Sequence, residues 1–385
     1  MQVSTKEQLV KKTSEEFKLQ YGTTPDTVTL TPGRINIIGE HTDYNDGLSM
    51  PAAIDRWMCV ALSKSNKKAS TIYSINYKKC VTMSTNKSNA TQGSWIKLAS
   101  TSIDVLTDEF DLQEGGNVAI GGNIPIGCGL SSSSAFIIAI THTFCQLFSI
   151  QIKNRDLAYL CQKIESITLG INCGLLDQYG IILSKKNHFM VIDFHLDHIE
   201  YIPVHINECS WLVVNSQIHR ELSDTAFIQR MNECQEGLDI LKDKFNINGF
   251  RDIEETMLLE LQAEHEVIYK RLSHLIEENK RVNDMKDQIQ KGSADNVGML
   301  LKQSHESLKS LYQVSCKEID YIIALSENFD GWYGGRIVGG GFGGCSIHLL
   351  TSHVVDEYNS YITTNYLKKF DLIPDIIKVS FPGGL

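Results

Sequence analysis

The sequence predicts an α+β protein organised as two domains. Three observations carry that expectation. The 385-residue length exceeds what one hydrophobic core usually organises. Strand-like and helix-like segments mix without the regular βαβ alternation of a doubly wound sheet. A polar connection over 200–210 precedes a new strand and then a long helical run, so we place the boundary there, with 1–205 in one domain and 206–385 in the other.

Each element has a local reason. Residues 1–22 carry apolar side chains at helical spacing among Lys and Glu, which predicts a helix; with no apolar h-region it is not expected to be a secretion signal. Alternation and β-branched content predict strands over 28–30, 57–63, 71–75 and 117–120. The almost wholly apolar run 136–148 predicts a buried helix, and Asn154 is read as the N-cap of a helix over 155–168. A strand is expected over 211–215. Glu-, Lys- and Leu-rich periodicity predicts mainly helix from 225 to 312. Strands at Ile337, 346–350 and 376–380, with a helix over 357–367, complete the second domain.

Composition narrows the function classes. Hydrophobic residues make up 42% and charged residues 21%, an ordinary globular balance. A formal net charge of -10 argues against non-specific binding to nucleic acid or to an acidic membrane surface. No run is long and apolar enough to predict a membrane span. The ten cysteines are scattered without a CxxC pair, which favours reduced thiols in a cytoplasmic protein over a disulfide framework or a zinc site.

Three clusters carry chemistry. The first is Gly33-Arg34-Ile35-Asn36-Ile37-Ile38-Gly39-Glu40-His41-Thr42-Asp43-Tyr44. It lacks the carboxylate spacing of a Ca²⁺ loop. Its crowding of donors and acceptors suits a polyhydroxylated ligand, and a solvated loop is the plainer alternative. The second is Pro125-Ile126-Gly127-Cys128-Gly129-Leu130-Ser131-Ser132-Ser133-Ser134, running into the apolar helix. Small residues before a helix start expose N–H groups and the positive end of the helix dipole, a cradle for phosphate. No Lys follows the glycines, so it is not a Walker A loop. The plainer reading is a flexible loop with a good N-cap. The third is Gly339-Gly340-Gly341-Phe342-Gly343-Gly344. A strand rather than a helix is expected after it, which excludes a dinucleotide fingerprint and leaves a close backbone approach or a structural turn. In addition, Cys173-Gly174-Leu175-Leu176-Asp177-Gln178 puts a carboxylate in an apolar stretch, where it needs a partner; Arg34 is a candidate.

In this order the clusters resemble the three motifs of the GHMP kinase superfamily, and the Gly-Arg-x-Asn-x-Ile-Gly-Glu-His-x-Asp-Tyr form of the first resembles the galactokinase signature. The similarity continues through Glu165, 173–178, 271–281, 304–308, 314–320 and the last glycine motif, covering nearly the whole chain. The resemblance implies an N-terminal domain like ribosomal protein S5 domain 2 and a ferredoxin-like C-terminal domain, with the active site between them. It implies ATP-dependent phosphorylation of the anomeric hydroxyl of α-D-galactose to galactose 1-phosphate, in the Leloir pathway, by a cytoplasmic and monomeric enzyme that uses Mg²⁺. Glu40, His41, Thr42, Asp43, Gly174 and Phe227 would then face the sugar. Asp177 would sit at the anomeric hydroxyl as base, with Arg34 beside it. Gly127, Cys128, Gly129, Leu130, Ser131, Ser132 and Ser133 would wrap the ATP phosphates, Ser133 and Glu165 would hold Mg²⁺, and Ser74 and Trp95 would lie near the nucleotide. An Asp beside a cation tends to stay ionised and is then a weak base, so orientation of the hydroxyl and its deprotonation are both open roles for Asp177.

Three positions depart from the family pattern. Phe227 stands where a Tyr usually contacts the sugar, a feature shared with a branch that phosphorylates N-acetylgalactosamine. Val338 replaces a usual Thr, and Ile-Lys-Leu-Ala-Ser after Trp95 lacks the usual Asn-Tyr pair. Kinases for another sugar, such as N-acetylgalactosamine or L-arabinose, and a non-catalytic galactose and ATP sensor are therefore the competing expectations.

Overall fold

The computed structural model describes residues 5–83, 94–218 and 223–385. The first four residues of the expected N-terminal helix lie outside them. Helix α1 (Lys6–Tyr21) starts with a capping box: the Thr5 hydroxyl accepts from Gln8 N, and the Gln8 side chain accepts from Thr5 N at 2.9 Å. It stops at Gly22, whose φ of 74° suits a residue without a Cβ.

The chain continues through β1 (Thr27–Asn36), β2 (Leu48–Ser49), β3 (Pro51–Lys64), β4 (Ser70–Ser74) and β5 (Lys79–Met83). Then come α2 (Ser94–Phe110), β6 (Gly116–Gly122), α3 (Ser132–Leu147), α4 (Asn154–Leu169) and α5 (Leu176–Ile182), followed by the hairpin β7 (His188–Asp193) and β8 (His198–Pro203). Beyond it lie β9 (Cys209–Asn215), α6 (Ser223–Lys244), α7 (Glu255–Gln262), α8 (Glu266–Lys291), α9 (Ala294–Ser310) and α10 (Lys317–Ser326). Strands β10 (Trp332–Val338) and β11 (Cys345–Thr351), helix α11 (Val355–Phe370) and strand β12 (Asp375–Val379) end the fold.

Three sheets result. The first has the order β1-β3-β6-β4-β5, antiparallel except for the parallel β4–β6 pair. Helix α3 lies across β1 and β3, and its nearly continuous burial explains the apolar run that predicts it. The second sheet, β10-β11-β9-β12, is wholly antiparallel. One core cluster joins the first sheet to α3 and α4, and another fills the space among α6, α8, α10, α11 and the second sheet. The small third sheet, β2-β7-β8, packs against α8.

The structure differs from the sequence reading at several points. Lys153, not Asn154, is the N-cap of α4, and Asn154 is already the first helical residue; no side chain caps this end. Residues 200–203, read as part of a polar connection, belong to β8, an edge strand whose Glu200 accepts from Lys286 of α8. Helix α2 and strand β7 are additional elements.

The two glycine loops meet directly. Gly129 and Gly339 have φ of 73° and 74°, and a Cβ on Gly339 would stand 2.6 Å from the Gly129 Cα. A Cβ on Gly129 would lie 2.7 Å from the Val338 carbonyl oxygen. The third cluster is thus the turn between β10 and β11 on which the serine loop rests. Gly170, the C-cap of α4, has the same φ of 74°, yet a Cβ there would meet nothing within 4 Å, so the pair separates strain from contact. Gly170→Ala is expected to cost about 1 kcal/mol in urea unfolding, from φ alone. Gly339→Ala is expected to cost roughly 2–4 kcal/mol, because the backbone must also move apart. Equal losses would contradict the packing argument.

Candidate active site

Strand β1 carries Arg34 and Asn36 and then breaks from the sheet into the turn that presents Glu40, His41 and Asp43. Gly39 and His41 take positive φ values of 87° and 64°, which turn the chain over within three residues. Thr42 fastens this turn from inside: its hydroxyl lies 2.7 Å from Leu48 O, 3.0 Å from Gly39 O and 2.9 Å from Ser49 Oγ. Thr42 is fully buried and does not line the cavity.

That cavity has a volume of about 280 Å³. Its polar lining includes Arg34, Glu40, His41, Asp43, Glu165 and Asp177, while Leu169, Ile171, Phe227 and Ile228 contribute apolar wall. The sequence-predicted residues from four separate segments therefore converge. Gly174 closes one side so tightly that a Cβ there would stand 1.8 Å from Asp43 Oδ2 and displace that carboxylate.

Asp177, in the first turn of α5, is partnered on both oxygens. Arg34 donates to Oδ1 through Nε at 2.7 Å and through Nη2, and Ser131 and Ser134 donate to Oδ2, the latter at 3.1 Å. Arg34 Nη1 also donates to Gly129 O at 2.6 Å, joining the first cluster to the second. Ser131 occupies the N-cap position of α3 in a left-handed conformation, with its hydroxyl spent on Asp177 rather than on the helix. The first-turn N–H groups of α3 therefore keep their role as anion donors. Cys128 and Leu130 have buried side chains and offer only backbone to a phosphate, whereas Gly127 is exposed. Ser132 and Ser133 are half-buried at the same helix start.

Glu165, reaching over from α4, accepts from Ser134 at 2.9 and 3.1 Å, from Ser133 at 3.3 Å and from Gln178 at 2.6 Å. Burial and the Asp177 charge push its carboxyl up to about 7, against the lowering effect of these donors. A Mg²⁺ ion suits this corner: a carboxylate and a hydroxyl side by side are hard oxygen donors that a cation would return to the ionised state. No group of three or more acidic, His or Cys side chains converges as a metal site among the described residues, so phosphates and water would complete the coordination.

Asp43 is pushed up to about 7 by desolvation, then by Asp177 and Glu40. Glu40 is bound by Asn36 Nδ2, by Gly339 N and, at 3.4 Å, by Arg336 Nη2. His41 stands against Tyr44, whose hydroxyl is 2.7 Å from Nδ1 and 3.1 Å from the Tyr312 hydroxyl. Phe227 packs on this aromatic group, 5.8 Å from the His41 ring and 5.4 Å from Tyr44.

Ser74 and Trp95 lie elsewhere. Ser74 ends β4 beside Ile120 of β6, the strand that leads into the serine loop, and its hydroxyl accepts from Tyr77 N at 3.4 Å. Trp95 stacks on Tyr77 with centroids 5.8 Å apart and planes 8° off parallel. Neither lines the cavity. Sequence reasoning named Ser134 and Gln178 within its clusters without giving either a role, and passed over Tyr312, His274, Glu278 and Arg336. The last three are polar residues set within apolar periodicity, and helix spacing alone puts His274, Glu278 and Arg281 on the buried stripe of α8 with Leu275 and Val282.

Comparison with known proteins decides the family. A model described as "Galactokinase galactose-binding signature" matches residues 15–64, and those for the GHMP kinases N terminal domain and C terminal match 97–185 and 285–358. The galactokinase of Thermosipho africanus is 32% identical over 356 residues, covering 92% of this chain and 97% of that protein. This chain belongs to the galactokinase family. The galactokinase of Thermotoga maritima is 32% identical over 342 residues, 89% of this chain and 94% of its own length. The crystal structure of Lactococcus lactis galactokinase complexed with galactose superimposes with a TM-score of 0.91 at 26% identity, covering 98% and 99% of the two chains. Mevalonate kinase of Methanococcus jannaschii, at 19% identity and a TM-score of 0.67 over 92% and 98%, shares the fold. The α+β, two-domain GHMP kinase fold expected from the sequence is the fold of the chain. No helix among the described residues is long and apolar enough to cross a membrane.

The raised carboxyl of Asp43 gives a pH dependence of defined sign. Ionising it costs the empty fold stability: the contribution is complete below the ordinary carboxylate value of 3.8 and lost as pH rises through about 7. A ligand that donates hydrogen bonds to the ionised group reverses the preference. Affinity for a polyhydroxylated ligand is therefore expected to fall as pH drops from 8 to 6, and Asp43→Asn to flatten that dependence, both read by titration calorimetry. An unchanged slope in Asp43→Asn would remove Asp43 from ligand recognition.

Proposed function

We propose that this chain transfers the γ-phosphate of ATP to the anomeric hydroxyl of α-D-galactose, giving galactose 1-phosphate and ADP. The observation that carries the reading is the convergence of the galactose-binding signature with the Arg34–Asp177 pair at one cavity, a pair to which the serine loop is bonded through Ser131 and Gly129 O. A galactose-bound relative of the same fold, at a TM-score of 0.91, supports the sugar.

In this reading Glu40, His41 and Asp43 hold sugar hydroxyls, while Gly174 lets Asp43 reach them. Asp177 takes the C1 hydroxyl between itself and Arg34. As the oxygen–phosphorus bond forms and the β–γ bridge breaks, Asp177 accepts the hydrogen bond of the departing proton and Arg34 faces the developing charge. The N–H groups of 127–133 take the phosphates. Ser133 and Glu165 would hold Mg²⁺, which when bound neutralises phosphate charge. Ser74 and Trp95 belong to the nucleotide end because the strand of Ser74 lies beside the one that feeds the serine loop.

Boundaries at 1–205 and 206–385 fit the reading, since β9, the first strand of the second sheet, starts at Cys209. ATP as substrate and thiols without a framework support a cytoplasmic location, and the net charge of -10 supports small-molecule partners over nucleic acid.

Two measurements test the assignment. ADP release with galactose, N-acetylgalactosamine, L-arabinose and glucose is expected to be strongest with galactose; sugar binding without turnover of any would favour a sensor. Asp177→Asn is expected to lower kcat by about 10²–10⁴-fold with ATP binding nearly intact. Turnover like the wild type would take Asp177 out of the mechanism.

A further inference from the structure

The turn that carries Glu40, His41 and Asp43 is held from behind by side chains far away in sequence. Strand pairing of β1 ends at Asn36, so the next backbone groups need other partners. Ile37 N and Ile38 O find them in Met50. Four other polar atoms are taken by three side chains from the C-terminal half. Arg336 of β10 donates to Asn36 O at 2.5 Å and to Ile37 O at 2.7 Å. Glu278 of α8 accepts from Gly39 N at 3.0 Å. His274, one turn earlier, lies with Nε2 3.1 Å from Glu40 O.

Each of the three is itself fixed. Arg336 is fully buried and spends Nη1 on Ile337 O at 2.7 Å, so its plane cannot turn. Glu278 is fully buried, held by Arg281 Nε and Ser304 Oγ, both at 2.7 Å. His274 has Ser307 Oγ 2.8 Å from Nδ1. A carbonyl oxygen only accepts, so Nε2 carries the proton and Nδ1 accepts from Ser307, the neutral tautomer. Buried polar groups of this kind stabilise no more than a well-packed apolar core would. What they supply is direction, because each bond fixes where a loop carbonyl or N–H points.

We propose that Arg336, Glu278 and His274 are positioning residues that set the geometry of the sugar-recognition turn from the C-terminal half of the molecule. The proposal rests on the reading that this turn binds the sugar. Arg336 additionally reaches Glu40 itself, so backbone and ligand carboxyl are aimed by one side chain. The serine loop receives none of these bonds, so the effect falls on the sugar and spares the nucleotide.

The test is a steady-state comparison of His274→Leu and His274→Gln with the wild type, varying galactose and ATP separately. Gln reaches a similar distance with an N–H donor, and Leu fills the space without one. His274→Leu is expected to raise the galactose KM tenfold or more while the ATP KM stays within about twofold, and His274→Gln to recover most of the loss. Equal shifts in both KM values, or no recovery by Gln, would overturn the proposal and leave a purely structural core. Where either variant does not fold, as judged by circular dichroism, Ser307→Ala gives the same reading: it frees the His274 ring and should raise the galactose KM selectively, and an unchanged KM would overturn the proposal. Failure of the underlying function looks different, as a wild-type protein that turns over no sugar.

Discussion

Arg34 reaches from β1 into a cavity whose described lining holds four carboxyl groups, and its pairing with Asp177 sets the charge balance of the whole site. Glu40, Asp43, Glu165 and Asp177 share a partly dehydrated space in which Arg34 is the one lining cation among the described residues. Repulsion at such distances is strong once water is excluded. The excess appears on Asp43 and Glu165, both raised to about 7 by burial and by the Asp177 charge. Removing Arg34 would leave a carboxylate uncompensated, a change that typically costs about 3–5 kcal/mol. The same pair ties β1 to α5 and, through Gly129 O, to the serine loop. Charge and architecture therefore depend on one guanidinium.

A site this crowded with negative charge must still accept phosphates. The serine loop answers that by geometry. Gly129 and Gly339 let two backbones touch, which seats the loop against the β10–β11 turn. Ser131 gives its hydroxyl to Asp177 instead of capping α3, so the helix end remains available to an anion. A cation at Ser133 and Glu165 would relieve the remaining repulsion and return Glu165 to its ionised form.

Much of this was legible in the sequence, for physical reasons. An almost wholly apolar run located α3, and helical and strand patterns located α4, β3 and β9, because burial selects apolar side chains. The glycines of 339–344 pointed to a close approach or a sharp turn, and the structure makes them both, with Gly129 as what they approach. The cost of an unpaired carboxylate in an apolar stretch required a partner for Asp177 and made Arg34 a candidate, which the structure places on it. Thr42 shows the limit: the family resemblance implied that it faces the sugar, whereas its hydroxyl fastens the turn from within. Asn154 looked like a cap by residue type, but the cap is the residue before it and the helix has already begun at Asn154. Helix spacing marks His274 and Glu278 as buried, but the partners of these two and of Arg336 are backbone atoms more than 200 residues away, which local pattern does not identify.

On the proposed reading the C1 hydroxyl, and no other, lies between Asp177 and the phosphate loop. The most direct measurement is the phosphorus-31 spectrum of the product made from ATP and galactose. A phosphate coupled to the anomeric proton in the α configuration is the predicted result. A phosphate on C6, or a product in the β configuration, would contradict the assignment of Asp177 to the anomeric hydroxyl and with it the account of the site.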